Sequence, residues 1–314
     1  MTISQYMKNT YQLSSDASPA IKIPCAEDRK SFLYFSEPYK GVCCWANDIH
    51  SSTIPAISED FHCISFNFCT AGSCEVSLNN GNFVYVTKEL LCIATDTAKG
   101  SPRYPTSSYS GLEIIIDFSE QETRGLPALF GLDFAALAEA VTREGGRRMV
   151  SPCEDWKQKA ANLAARLSAQ NISIEEIRFF LLELLFHLLH NPANMQEAAG
   201  TPLTKGQRKI ASEVGQLVSE NLEKRFTVEE LSAKYRVSPS SLKKYFTQLY
   251  GMPFSEYLRQ LRMEHAAKLI ATDALSIGEI AERTGYQNQS KFGSAFKIYF
   301  GIPPLEYRRL HAGK

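Results

Sequence analysis

Long apolar runs are missing from this chain of 314 residues. Its most hydrophobic stretch, Phe179 to Leu189, is interrupted by Glu183 and His187, far from the roughly 18 uninterrupted apolar residues of a membrane helix. The opening Met1-Thr-Ile-Ser-Gln-Tyr-Met-Lys8 lacks the basic-then-apolar order of a secretory signal, so a cytoplasmic protein with no membrane partner is expected. Low-complexity tracts are also missing, and 44% hydrophobic with 22% charged residues is an ordinary globular composition. Histidine is scarce, with only His50 and His62 before residue 150. Two isolated histidines do not build a three-ligand His/Glu metal centre. The eight cysteines (Cys25, Cys43, Cys44, Cys63, Cys69, Cys74, Cys92 and Cys153) include no Cys-x-x-Cys pair and match no common zinc spacing. They are expected as free, mostly buried thiols in a reducing compartment. No catalytic residue, cofactor or metal is expected, although the adjacent Cys43-Cys44 keeps a thiol- or metal-responsive sensor open as an alternative.

Net charge is missing too, since 34 Lys+Arg balance 34 Asp+Glu. The balance hides an asymmetry. Thr204 to Lys314 carries 18 basic and 11 acidic residues, a balance of +7, which leaves residues 1–203 with 16 basic and 23 acidic, a balance of −7. A basic C-terminal third suits a polyanionic partner and the acidic remainder does not. Two parts with different tasks are therefore expected, and the length suits two domains.

Residues 20–145 read as strand and turn. Phe61-His-Cys-Ile-Ser-Phe-Asn-Phe-Cys69 is rich in aromatic and β-branched residues, Ala71-Gly72 breaks it, and Cys74-Glu-Val-Ser-Leu78 alternates with period two. Asn79-Asn-Gly-Asn82 predicts a primed hairpin turn, with Phe83-Val-Tyr-Val-Thr87 as the return strand and Gly111 to Phe118 as a buried one. Short strands with no helices between them suggest a sandwich or small barrel, with Phe66, Phe68, Phe83, Tyr85, Tyr104 and Tyr109 expected mainly in its core. Helices are expected over 151–190. Ser151 reads as an N-cap, Pro152 as the first helical residue and Glu154 as the capping-box carboxylate. A second helix begins at Asn171-Ile-Ser173 and places Ile174, Ile177, Leu181, Leu184 and Leu188 on one stripe. That stripe is wide enough to cover the strands and to meet a second copy in a homodimer. Residues 191–203 contain two prolines and a glycine without apolar periodicity and read as a linker.

One local pattern occurs twice near the C-terminus, in Thr227 to Phe246 and again in Ser276 to Phe296. Thr227 with Glu230, and Ser276 with Glu279, each form a capping box. Leu231 and Ile280 follow at matching core positions. The reversals fall at Arg236-Val237 and Gly285-Tyr286, and the second helix of the first unit begins at Ser238-Pro239. Leu242 and Phe246 point inward, as do Phe292 and Phe296 one residue later in register. Two helix-turn-helix units are therefore expected, at 227–250 and 276–300. A connecting helix over 255–271 would set them apart in a fixed relation, which suits two neighbouring major grooves of DNA.

The segment from about Ile210 to Arg309 resembles the DNA-binding domain of the AraC/XylS transcription regulators. The resemblance is carried by Leu242-Lys-Lys-Tyr-Phe246, Gly251-Met-Pro-Phe-Ser-Glu-Tyr-Leu-Arg-Gln-Leu-Arg262, Ile280-Ala-Glu-Arg-Thr-Gly-Tyr286 and Phe296-Lys-Ile-Tyr-Phe-Gly-Ile-Pro-Pro-Leu-Glu-Tyr-Arg308. It implies an α+β protein. Residues 1–190 would form a cupin-like β-barrel or sandwich with a helical pair that binds an effector and dimerises, and residues 204–314 an all-α DNA-binding domain. It implies double-stranded promoter DNA, RNA polymerase and a small-molecule effector as partners, and an activator rather than an enzyme; a constitutive regulator is the alternative. It further implies contacts to bases and phosphates from Ser240, Ser241, Lys243, Lys244 and Thr247 in the first recognition helix. In the second they would come from Gln289, Ser290, Lys291 and Ser294, with Lys297 near the backbone. Glutamine pairs with adenine, lysine with guanine or phosphate, and serine with either. Many family members carry arginine where this chain has Ser294, and Gly293 beside it costs a helix interior roughly 1 kcal/mol relative to alanine. The second unit is therefore expected to contribute more to positioning than to base reading.

Overall fold

The computed structural model describes residues 1–13, 19–26, 30–55, 59, 61–78, 80–95, 102–119, 131–190, 195–198, 201–272 and 275–311. The chain divides into two units, Met1–Pro202 and Leu203–Lys314. None of the helices among the described residues is long and apolar enough to cross a membrane.

The first unit begins with helix α1 (Ile3–Thr10), whose start is fixed by a Thr2–Gln5 capping box. Among the described residues nine strands form one antiparallel sheet: β1 (Ile21–Pro24), β2 (Phe32–Tyr39), β3 (Val42–Ile49), β4 (Cys63–Ser77), β5 (Phe83–Thr87), β6 (Leu91–Ala94), β7 (Tyr109–Asp117), β8 (Arg147–Pro152) and β9 (Met195–Glu197). Their order is β1-β2-β3-β7-β4-β6-β8-β9, with β5 paired to β4. Side chains along a strand alternate between faces, and here both faces are apolar. In β3, Val42, Cys44 and Ala46 enter one buried cluster while Cys43, Trp45 and Ile49 enter the other. The first cluster is sealed by helices α3 (Glu154–Ser168) and α4 (Ile174–His190), with α2 (Phe134–Arg143) at its margin. Trp156 of α3 meets Phe68 edge-on at 5.2 Å and donates its indole N–H to the Leu184 carbonyl at 3.0 Å, which fastens the helical pair to itself and to the sheet. On the opposite face the sheet curls until side chains from β1 through β7 meet in one cluster, into which α1 inserts Ile3 and Met7.

Several expectations change. The two segments expected at Phe61–Cys69 and Cys74–Leu78 merge into one strand, β4 (Cys63–Ser77), because pairing with β7 continues through a bulge between Cys69 and Ala71. Gly72 follows the bulge with φ 84°, and a Cβ there would overlap the Ser108 carbonyl oxygen. Across the β4–β5 hairpin the Leu78 amide donates to the Asn82 carbonyl at 2.8 Å and the Gly81 amide to the Leu78 carbonyl at 3.0 Å, with Gly81 at φ 77°, so the loop between the paired residues is not the two-residue type; Asn79 lies outside the described residues. Ser151 is not a helix cap. It belongs to β8, where Val150 is buried opposite Leu91 and Ser151 faces Gln196 of β9. Helix α3 starts at Glu154 with Cys153 as its N-cap. Sheet pairing thus overrides the local cap signature. The stretch expected as linker contains β9, and the region expected to be free of helices contains α2, capped by Asp133.

The second unit is helical: α5 (Lys205–Ser219), α6 (Val228–Lys234), α7 (Pro239–Tyr250), α8 (Phe254–Thr272), α9 (Ile277–Arg283), α10 (Gln289–Phe300) and α11 (Pro304–His311). The chain is therefore α+β, with an antiparallel sheet ahead of a helical region.

Both tryptophans, Trp45 and Trp156, lie in the first unit, so indole fluorescence follows that unit alone. We predict that Gly72→Ala lowers its stability by on the order of 3 kcal/mol, from left-handed strain plus the overlap with Ser108. A urea titration followed by tryptophan emission checks this, and an unchanged midpoint would count against the bulge geometry.

Candidate nucleic-acid interface

Helix pairs α6–α7 and α9–α10 repeat the same construction. Thr227 Oγ1 accepts the Glu230 amide at 3.2 Å, and the Glu230 carboxylate accepts the Thr227 amide at 3.0 Å. Ser276 and Glu279 exchange the same bonds at 3.2 and 2.7 Å. Hydrogen bonds from Thr227 and from Ser276 hold both carboxyls below the ordinary glutamate range. Because these folded pKa values are depressed, the contribution is present above the unfolded value and is lost as pH falls through the folded one.

Each first helix ends in the same way. The Val237 amide reaches the Ser232 carbonyl at 3.0 Å and the Tyr286 amide reaches Ala281 at 2.9 Å, while Arg236 and Gly285 reach Ala233 and Glu282. These are the paired bonds of a Schellman motif, which requires a left-handed residue. Arg236 supplies it at φ 55° and Gly285 at φ 77°. At Gly285 no side chain is admissible, since a Cβ would lie 2.5 Å from the Leu222 carbonyl oxygen and against the Arg262 guanidinium. That guanidinium donates to the Leu222 and Lys224 carbonyls at 3.0 and 2.8 Å.

The recognition helices start at Ser238, followed by Pro239, and at Asn288, whose side chain accepts the Lys291 amide at 2.8 Å. Thr227 to Ser238 spans eleven positions and Ser276 to Asn288 spans twelve. The one-residue offset between the inward pairs therefore sits in the turn, and Leu242 and Phe292 each follow their own cap by four. Leu242, Phe246, Phe292 and Phe296 are all buried. Phe246 packs on Tyr250, Phe254 and Tyr257, and Phe296 on Phe300 and Tyr307. Helix α8 runs between the units for 19 residues, or about 28 Å.

On the outward faces Ser240, Lys243, Lys244 and Thr247 are exposed along one stripe of α7. Ser241 is half-buried, and its hydroxyl accepts from the Ser238 cap at 2.8 Å. Gln289, Ser290, Lys291, Ser294 and Lys297 are exposed on α10. Gln289, Ser290, Ser294 and Lys297 share a shallow concavity whose floor includes Gly293, with Lys291 to one side. Two exposed residues just ahead of the recognition-helix caps, Arg236 two positions before Ser238 and Gln287 next to Asn288, were not among the expected contacts. The basic Arg236 in the first turn was the readable signal.

The thiols offer no comparable site. Cys43, Cys44, Cys69 and Cys74 are buried, and burial pushes their pKa values up, to about 12 for Cys44. Such thiols stay protonated and poorly nucleophilic. No cluster of three or more His, Cys, Asp or Glu suited to a metal occurs among the described residues. Of the six aromatics assigned to the core, Phe66 and Phe68 lie on the helical side of the sheet, and Tyr104 lines a cavity on the other.

A family profile described as a helix-turn-helix domain matches residues 231–310. The HTH-type transcriptional activator AarP of Providencia stuartii is 32% identical over 110 residues, covering 35% of this chain and 82% of that protein. The uncharacterized HTH-type transcriptional regulator YpdC of Escherichia coli (strain K12) is 28% identical over 183 residues, covering 58% of this chain and 63% of YpdC, which is less than two thirds of that relative's length. The C-terminal domain of AraT, a response regulator from Geobacillus stearothermophilus, is 35% identical across 33% of this chain and 88% of that one, with a TM-score of 0.33. The chain belongs to the AraC/XylS family of DNA-binding transcription regulators.

The two left-handed positions differ in tolerance. Gly285→Ala is predicted to destabilise the second unit by about 2 kcal/mol or more, while Arg236→Ala, already a non-glycine site, stays within about 1 kcal/mol. Calorimetric unfolding of both variants checks the ranking, and equal shifts would contradict it.

Proposed function

We propose that this protein is an effector-responsive activator that binds specific promoter DNA through both helix-turn-helix units of one chain. The observation that carries the reading is the pair of capped recognition helices, each turning a polar and basic face outward, joined by the 19-residue α8. Adjacent major grooves on one face of DNA lie about 34 Å apart, a separation comparable with the length of that helix. Ser240, Lys243, Lys244 and Thr247, with Ser241 closer to the cap, are the proposed contacts from α7. Gln289, Ser290, Lys291, Ser294 and Lys297 are those from α10, with Arg236 and Gln287 as neighbours. Lysines next to phosphate supply affinity, and the serines, threonine and glutamine read base edges.

In this reading residues 1–190 form a cupin-like barrel with its helical pair, which senses a small molecule and dimerises, and residues 191–203 connect it to the DNA-binding domain at 204–314. The curled sheet and its cavity support the sensing role. Phe179 and Phe186 of α4, exposed at 66% and 44%, support contact with a second copy. Activation through RNA polymerase, in the cytoplasm, completes the proposal. AarP is named as an activator.

Sequences selected from a random duplex pool by the full-length protein, followed by footprinting, test the reading. Protection across about two helical turns is expected, because two grooves are engaged at once. Lys244→Ala is predicted to weaken specific binding more than Ser294→Ala and to reduce the salt slope by about one. Failure to prefer any duplex over random competitor at moderate salt would overturn the reading.

A further inference from the structure

The first unit holds a partly open cavity of about 150 Å³, a volume at which an apolar protein cavity accepts a molecule the size of benzene. Much of its wall is apolar, with Leu33, Trp45, Val76 and Ile115 from the sheet and Met7 from α1. Glu113 of β7 is set into that wall. The sheet register places it opposite Trp45 of β3 on one side and Asn67 of β4 on the other. Glu113 is partly buried and lines the cavity. Its carboxylate accepts hydrogen bonds from the Trp45 indole and the Asn47 side chain. A carboxylate has about four acceptor positions, so capacity remains on the side open to the cavity.

The groups whose ionisation couples to Glu113 are Cys74 of β4, Tyr104 and Tyr109 of β7, and burial pushes all three up, so they are neutral near pH 7. Two other charged residues line the wall. Glu75 accepts from Tyr85 at 2.9 Å, and Arg147 has an interaction of its own. Burial, opposed by the two donors, raises the Glu113 carboxyl to about 7. It therefore exchanges its proton near neutrality, and a cation placed against it would favour the charged form.

We propose that this cavity binds a small organic amine, its ammonium seated on Glu113 and an apolar body of about six to ten non-hydrogen atoms packed between Leu33, Trp45 and Ile115. A buried carboxylate repels an acid and gains less from a neutral alcohol, so charge rather than shape selects the ligand. The inference rests on the effector-responsive reading and gives that effector a chemical class. Binding displaces the Glu113 proton, so affinity rises as pH climbs through about 7 and falls as it drops below.

Titration calorimetry on the full-length protein with benzylamine, cyclohexylamine and butylamine, against benzyl alcohol and benzoate, tests the assignment. At least one amine is expected to bind at pH 8, roughly tenfold more weakly at pH 6, and at least tenfold more tightly than the alcohol or the acid. Glu113→Gln keeps the side-chain shape and is expected to lower amine affinity at least tenfold and to abolish its pH dependence, with an unchanged tryptophan-emission melt. The wild-type pH dependence decides the matter if that variant does not fold. No binding by any amine, equal binding of alcohol or benzoate, or a pH-independent affinity would overturn the proposal. Footprinting the same samples separates the two readings: specific DNA protection without amine binding removes the ligand assignment alone.

Discussion

A helix can report on a DNA groove only if its backbone is held still, and in this chain that constraint falls on one left-handed residue per unit. Arg236 and Gly285 end α6 and α9 in the same backbone geometry. From there the chain reverses into a new cap, at Ser238 or Asn288, and four residues later an apolar side chain locks the recognition helix inward. The outward stripe of Lys243, Lys244 and Thr247 follows from that lock by helical spacing alone. The two units differ by one residue in the turn, yet the inward pair keeps its distance from its own cap. Geometry of the reading face is conserved between the units by construction, while its chemistry is free to differ. Each face carries two lysines, adjacent as Lys243 and Lys244 on the first and spread to Lys291 and Lys297 on the second, where Gln289, Ser290 and Ser294 lie between and beside them.

The first unit meets a different requirement. A sheet buried on both faces needs two apolar sets on each strand, and β3 supplies them from consecutive residues. One face is spent on the helical pair, anchored by the Trp156 indole. The other curls around an internal space where Ser65, Asn67 and Glu113 sit among apolar neighbours. A carboxylate in such a place is costly unless something compensates it, and the Trp45 and Asn47 donors do so only in part.

Much of the second unit was legible in the sequence because local and tertiary demands agree there. The Thr227–Glu230 and Ser276–Glu279 boxes cap the helices they announce, and the inward phenylalanines fall where periodicity puts them. Legibility failed where pairing between distant segments decides. Ser151-Pro152-Cys-Glu154 is a sound cap signature, but β9 pairs with Ser151 and Pro152 and keeps them in a strand. Residues 71–72 break the alternation of β4 without ending the strand, since a bulge absorbs the irregularity. The repeat itself aligned Arg236 with Gly285 at the reversal, but arginine carries no left-handed preference, so the φ of 55° at Arg236 was not legible. The meeting of Glu113 with Trp45 and Asn47 depends on the β3–β7 register, which no single stretch encodes.

The proposed two-groove reading requires α8 to hold the recognition helices at one fixed spacing. Its most direct measurement is the affinity of the full-length protein for a selected site before and after insertion of five base pairs between the two protected grooves. Half a helical turn moves one groove to the opposite face of the duplex. The account predicts a loss of at least tenfold in specific affinity, with protection retained over one groove only. Unchanged affinity with protection of both grooves would contradict a rigid pair.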